Sequence, residues 1–376
     1  MIFSFVPQPP NFPLDWQGLT EAFEWVAEMR GCEQSPLYHA EGDVWIHTRR
    51  VCEAVIDNPE WRALDETARA VIFIASLLHD VAKPACTRTQ DDGRITSHGH
   101  SLMGEKVARE LLWAMDVPFH WREQIAALVR YHQAPFFLIE RDDVQRNVYR
   151  VSQTARCDYL AQVARADALG RICPDQQRLL DNIGLFVEYA REHDCLDKPR
   201  KFASDHSRFL YFRKASRDPD YAAYDDTRCE VVLLSGLPGS GKDHIRRQRF
   251  GGWNAVSLDD IRRELKIEPT DNQGAVIAEA KERARQFLRR RENFVWNATN
   301  LSRELRSHAI DLLADYNARV RIVYVEAPLN KLYMQNRERQ HTVPETVMKR
   351  MMEKWEVPDL TEAHRVEWIV TNHETM

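Results

Sequence analysis

Cys229-Glu230-Val231-Val232-Leu233-Leu234-Ser235 runs directly into Gly236-Leu237-Pro238-Gly239-Ser240-Gly241-Lys242, and a helical stretch, Asp243–Phe250, follows. A short apolar run closed by glycine reads as a buried strand. Strand, then G-x-x-x-x-G-K, then helix is the context in which such a loop binds phosphate. Glycines let backbone N–H groups curl round phosphate oxygens, and the helix N-terminus adds partial positive charge. Gly236, Gly239, Ser240, Gly241 and Lys242 are the expected nucleotide cradle, with Lys242 reaching the β- and γ-phosphates. Asp243 departs from the pattern, because Ser or Thr normally follows the lysine and ligates Mg²⁺. A carboxylate is also a hard oxygen ligand and can hold the ion; it can equally repel a triphosphate and mark a lapsed site. The rest of the machinery favours retained activity, with ATP or another NTP and Mg²⁺ as cofactors.

Working outward, apolar runs at Ala255–Leu258, Phe294–Trp296, Val320–Val325 and Trp368–Val370 alternate with helical stretches, which predicts an α/β unit with a parallel sheet. Ser257-Leu258-Asp259-Asp260-Ile261-Arg262 falls at the end of the second strand, the edge where such sheets place ligands. One Asp there suits the role of proton acceptor for a hydroxyl, the other that of helix N-cap, and Arg262 suits a nearby anion. Asn297-Ala298-Thr299-Asn300 closes another strand at the same edge, making Asn300 a substrate candidate. Arg337 and Arg339, in Asn336-Arg337-Glu338-Arg339, have the placement of a lid over the triphosphate. A solvated helix face is the competing reading, more so for Arg337.

These pieces resemble the polynucleotide 5′-kinase family over roughly residues 229–376, in the order GLPGSGK, SLDDIR, ATN, NRER. The resemblance implies that Asp259 is general base for a 5′-hydroxyl. It implies too that Arg262 holds the neighbouring phosphate and that Arg339 bridges the donor phosphates. Ala298 stands where phage-type members carry an acid.

Upstream, residues from about 15 to 195 read as successive helices without a convincing strand. Asp43–Asn58 puts His47 on one stripe with Val51, Ala54 and Val55. Thr67–Ala82 does the same for His79, followed by Asp80; Glu123–His132 for His132; Thr154–Leu169 for Asp167. A single inward histidine is usually a satisfied core residue, but four such helices call for a shared partner, since unpaired polar burial is costly. Imidazoles and carboxylates gathered from separate helices suit a transition metal such as Mn, Ni, Co, Zn, Fe or Cu. His100 begins a helix and is placed to face it; His98 is a substrate contact or a loop residue. Lys83 reads equally as a phosphate ligand or a snorkelling helix-end lysine.

The ordered set across residues 39–167 resembles the HD phosphohydrolase superfamily, and the segment Tyr38–Thr48 is similar to the HD region of bacterial CCA-adding tRNA nucleotidyltransferases. The resemblance implies that His47, His79, Asp80 and Asp167 bind one ion and that His100 and His132 suggest a second. Metals of this kind make hydroxide available near neutrality.

The whole chain has 376 residues, 44% hydrophobic and 29% charged, with 52 basic and 57 acidic residues and a formal charge of −5. Any nucleic-acid contact is therefore local rather than a global electrostatic one. Ten tryptophans and the apolar content exclude low-complexity disorder. The longest apolar run, around Ala70–Leu78, is about half of what a bilayer needs, so no membrane partner is expected. Met1–Val6 lacks the basic start of a secretory signal, and seven scattered cysteines suit reduced thiols in a cytoplasm. The expected organisation is multidomain: an all-α bundle at 1–212, a linker at 213–228, and the α/β unit at 229–376.

Together the halves resemble the bacterial HD-Pnk family of end-healing enzymes. That implies hydrolysis of 2′,3′-cyclic phosphate and 2′-phosphate ends by one domain, and NTP-dependent phosphorylation of 5′-hydroxyl ends by the other. RNA or DNA strand ends are the implied partners, with a polynucleotide ligase acting afterwards. Two alternatives remain open: a nucleotide phosphohydrolase fused to a small-molecule kinase, and an NTP-dependent nucleic-acid-binding protein whose kinase is inactive.

Overall fold

The structure, a computed structural model, describes residues 4–268, 270–339 and 342–371; Met1–Phe3, part of the N-terminal signal reading, lie outside them. The chain divides into two compact units, Met1–Lys201 and Phe202–Met376.

The first unit is helical. Its principal helices are Val44–Asp57, Glu66–Leu78, His100–Ala114, Phe119–Tyr131, Cys157–Gly170 and Gln176–Glu192. Asp43 and Asp65 cap the first two by accepting from the amides of Ile46 and Ala68; such caps are each worth about 1 kcal/mol. Glu66–Leu78 is the central helix, with Ile72, Phe73 and Leu77 fully buried, each contributing about 1.5–3 kcal/mol. It packs against the Val44–Asp57, Phe119–Tyr131 and Cys157–Gly170 helices. At Gly170 a Cβ would lie 2.6 Å from Val51 Cγ2, so only glycine lets the His47 and Asp167 helices approach this closely.

Two details differ from the sequence expectation. The helix expected to run to Ala82 ends at Leu78, and a short helix restarts at Lys83. Between them the backbone turns through i→i−3 bonds, Val81 to Leu78 and Lys83 to Asp80, and Pro84 sits in the first turn of the new helix, where its missing N–H costs nothing. A two-residue hairpin, Arg88–Thr89 with Ile95–Thr96, interrupts the helical series.

The second unit carries a five-stranded, all-parallel sheet in the spatial order Asn254–Ser257, Phe294–Asn297, Cys229–Ser235, Ala318–Glu326, Arg365–Val370. Leu233 of the central strand pairs with Trp296 on one side and Ile322 on the other. Side chains alternate between faces. Val231 and Leu233 join one core, with Ile261 and Leu313, while Val232 and Leu234 join the other, with Phe250 and Val325.

The helix Asp205–Arg213, placed by sequence at the end of the first domain, packs into the core that holds Val231 and Leu233. Phe209 is buried there and stacks on His364 at 4.0 Å between centroids. Arg208 donates to the carbonyls of Leu360 and His364 at 3.0 and 2.7 Å. The division therefore falls at Lys201–Phe202 rather than near 213.

Candidate metal centre and nucleotide cradle

In the helical unit six sequence-selected residues meet. Asp80 is central and buried. Its Oδ2 lies 3.1 Å from His79 Nε2 and 3.8 Å from His47 Nε2, and its Oδ1 lies 3.4 and 3.9 Å from Nε2 of His100 and His132. Asp167 Oδ1 is 3.2 Å from His47 Nε2. Within each of the sets His47–His79–Asp80 and Asp80–His100–His132, ligand-type atoms lie within 4.8 Å of one another.

Three of the rings are turned the same way. Nδ1 of His79, His100 and His132 faces the carbonyl three residues earlier, Ser76, Ser97 and Val129, at 2.6–2.8 Å. Each Nδ1–H therefore donates to backbone, and each Nε2 keeps its lone pair for the centre. Asp80 Oδ1, His100 Nε2 and His132 Nε2 are buried and find no hydrogen-bond partner among the described residues. Orphaned donor atoms converging from separate helices are costly in a closed core and fit a divalent ion. Asp80 belongs to both sets.

The charges agree. Burial raises the Asp80 carboxyl, but His79 and Lys83 outweigh it and leave the group well below the usual range. Burial also lowers His132, to about 3, with His79 adding to the effect, so the ring is neutral and able to ligate.

Above the cluster opens a pocket of about 400 Å³. Lys83, His39, His100 and Arg171 form part of its lining, and Arg178, Tyr38 and Phe137 also line it. Lys83 is buried, not snorkelling: its Nζ lies 2.7 Å from Asp80 Oδ2 and donates to Gln34 Oε1 at 2.6 Å. His98 is exposed and lines the same pocket.

In the sheet unit the loop after the central strand has Gly236, Gly239 and Gly241 at φ 146°, 83° and 97°. The helix Lys242–Phe250 opens beside them. A Cβ on Gly236 would sit 2.3 Å from the Val325 carbonyl oxygen. Lys242 Nζ curls back to donate to the carbonyls of Gly236 and Leu237 at 2.7 and 2.8 Å. Burial lowers its ammonium to about 8, with Asp243 and Asp259 opposing and Arg339 reinforcing, which places those three charges around it. Asp243 Oδ1 accepts from Asn297 Nδ2 at 2.8 Å, and Ser240 Oγ is buried with no hydrogen-bond partner among the described residues. Arg262 Nη1 pairs with Asp259 Oδ1 at 2.5 Å.

Residues 44–172 match the HD domain family, and residues 231–358 match an AAA domain family. The chain joins an HD domain to a P-loop kinase-like domain. An L-seryl-tRNA(Sec) kinase from Methanococcus maripaludis is 25% identical over 152 residues, 35% of this chain and 58% of that protein. The chain thus matches less than two thirds of that relative's length. A gluconokinase from Sinorhizobium meliloti 1021 superposes with a TM-score of 0.29 at 17% identity, over 38% of this chain and 83% of the other.

Elsewhere in the kinase-like domain, Asn300 is buried and donates to the Leu234 carbonyl at 2.6 Å, bracing the loop-bearing strand instead of standing open to substrate. Arg337 is exposed on the last turn of the helix Leu329–Arg337, while Arg339 lies just beyond it, close enough to influence Lys242. In the HD domain, Glu41, Gln34 and Arg171 join the site without having been singled out. Arg171 sits four residues after Asp167, a spacing that puts both on one helix face and was a usable signal. Glu41 lies inside the quoted Tyr38–Thr48 segment, but no periodicity marks it.

Proposed function

We propose that this protein heals broken nucleic-acid strands, in the manner of the bacterial HD-Pnk family. In this reading the HD domain hydrolyses 2′,3′-cyclic phosphate and 2′-phosphate ends, and the kinase-like domain transfers the NTP γ-phosphate to a 5′-hydroxyl end. A polynucleotide ligase would act on the product. Seven free cysteines favour a cytoplasmic setting.

The observation that carries it is the state of Asp259, whose side chain is 64% exposed while Arg262 is held beside it. A base standing open at the strand-end edge suits an acceptor hydroxyl carried on a long polymer; a metabolite kinase would be expected to enclose its acceptor. Asp259 takes the hydroxyl proton, Arg262 holds the adjoining phosphate, and Lys242 and Arg339 neutralise the donor phosphates. Asp243, steadied by Asn297, would hold Mg²⁺ through its carboxylate oxygen. The similar L-seryl-tRNA(Sec) kinase is, by its name, also a kinase whose acceptor is borne on RNA.

In the HD domain, His47, His79, Asp80 and Asp167 would hold one transition-metal ion, and His100 and His132 with Asp80 a second. Such ions supply Lewis acidity and a nucleophilic water. Lys83 and Arg171 face the pocket with the charge needed to bind phosphate oxygens.

The test uses purified full chain with labelled oligonucleotides ending in 5′-hydroxyl or 2′,3′-cyclic phosphate, and with free nucleosides as rival acceptors. Lys242→Ala should abolish phosphorylation alone and Asp80→Ala hydrolysis alone. Phosphorylation of nucleosides in preference to oligonucleotides would sink the end-healing reading.

A further inference from the structure

Three imidazoles around Asp80 take their orientation from backbone carbonyls; His47 does not. Its Nδ1 lies 2.8 Å from Glu41 Oε1, a charge contact and not a hydrogen bond. The same oxygen is 2.8 Å from His39 Nδ1, as an acceptor for that ring's N–H. Glu41 Oε2 accepts from the Ile172 amide at 2.7 Å. The Glu41 side chain is completely buried, and the His39 and His47 rings meet edge to face at 4.7 Å. His39 lines the pocket that Lys83, His100 and Arg171 also line.

A buried carboxylate is expensive unless its partners exploit it. Here one oxygen is anchored to the main chain and the other is shared by two rings, so its position is set independently of either histidine. For His39 the accepted hydrogen bond fixes the proton at Nδ1; for His47 a carboxylate oxygen 2.8 Å from Nδ1 favours the proton on that same nitrogen, so Nε2 is the free nitrogen of each ring. For His47 that nitrogen faces Asp80 and Asp167; for His39, a pocket-lining residue, it is the atom left for a ligand.

We infer that Glu41 is a positioning residue that sets the tautomers of two histidines at once, holding His47 for the metal cluster and presenting His39 Nε2 to the phosphate ester as a substrate contact. The inference rests on the reading of this pocket as the phosphoesterase site. It divides two neighbouring histidines by role: His47 toward the ion, His39 toward the substrate.

The experiment titrates metal-stripped full-length protein with Co²⁺, followed by its visible absorption, with far-UV circular dichroism as the control for folding of the helical unit and 5′-kinase activity as the control for the other. Glu41→Gln keeps the shape, but its amide cannot accept from the histidines and from Ile172 together without turning an N–H toward one of them. It should weaken Co²⁺ binding roughly 10–100-fold, with kinase activity unchanged. Glu41→Asp, which retains the charge one methylene shorter, should fall between. His39→Ala should keep wild-type Co²⁺ affinity while hydrolysis of 2′,3′-cyclic nucleotide drops. Wild-type affinity in both Glu41 variants overturns the inference, and so does a loss of affinity in His39→Ala, which would make His39 a ligand. If the wild type itself takes up no Co²⁺, inference and metal-centre reading fall together. If it binds Co²⁺ and cleaves no cyclic phosphate, only the end-healing reading falls, and the Co²⁺ series still decides the role of Glu41.

Discussion

Arg171 grips Asp167 with two parallel hydrogen bonds, Nε to Oδ1 and Nη2 to Oδ2, each 2.8 Å long. Burial opposes both charges, yet each stays ionised because the other is there: the Arg171 guanidinium holds the Asp167 carboxyl well below its ordinary range. The pair therefore delivers an orientated anion to His47 and the cluster, and a cation to the pocket.

Arg171→Ala leaves the Asp167 carboxylate buried without its counter-charge, at about 3–5 kcal/mol. The expected result is a lower thermal midpoint for the HD domain and loss of phosphoesterase activity, with 5′-kinase activity kept. Arg171→Lys should recover stability in part but not turnover, because an ammonium cannot reproduce the two-point grip. Differential scanning calorimetry with parallel assays of both activities checks this; wild-type turnover in the lysine variant would refute it.

Arg306 plays the corresponding structural part in the kinase-like domain. Fully buried, it pairs with Glu362 at 2.7 and 2.9 Å and donates to the carbonyls of Asn300, Leu301 and Glu356. Arg306→Met should cost about 3–5 kcal/mol by stranding the Glu362 carboxylate. Urea unfolding followed by tryptophan fluorescence should show the loss, and an Arg306→Met/Glu362→Leu double variant should recover much of it.

Gly236→Ala tests the cradle. The residue sits at φ 146°, and the new Cβ would meet the Val325 carbonyl oxygen. Strain of about 1–3 kcal/mol should weaken ATP binding roughly ten- to hundredfold, read by isothermal titration, while phosphoesterase activity stays at the wild-type rate.

Lys242 gives a pH dependence with a definite sign. Its ammonium is lowered to about 8, so the folded free state binds fewer protons than the unfolded chain between about pH 8 and the ordinary lysine range. The cost of the buried charge is fully present below that window and is relieved as pH rises through it. Phosphates favour the charged form. ATP binding near pH 9 should therefore take up close to one proton, and near pH 6.5 none from this group. Titration calorimetry in buffers of different ionisation enthalpy measures the uptake; none near pH 9 would count against the assignment.

Much of both sites was legible because the chemistry was written locally. Strand, glycine loop and lysine are contiguous, and His47, His79, His132 and Asp167 stand on apolar stripes whose period is that of a helix. What escaped depended on distant contacts. Glu41 acts through Ile172, 131 positions away; Asn300 read as a ligand-edge residue until its bond to Leu234 showed a brace. The His79 helix stopped at Leu78 although the apolar periodicity ran on to Ala82, because periodicity marks which face is buried and not where the backbone turns. The helix Asp205–Arg213 joined the sheet unit because Phe209 and Arg208 find their partners around Leu360 and His364, a pairing with no local signature.

With Nδ1 of His79, His100 and His132 tied to main-chain oxygens, the nest of nitrogens is assembled before any ion arrives. Loading then asks little rearrangement of the protein, and the spacing between donors is dictated by how the helices pack and not by the guest. Ions that differ in radius must fit a frame that does not yield to them. Which of them occupies it in the cell is thereby decided by relative supply and by their liking for nitrogen over oxygen, with the polypeptide acting as a fixed gauge.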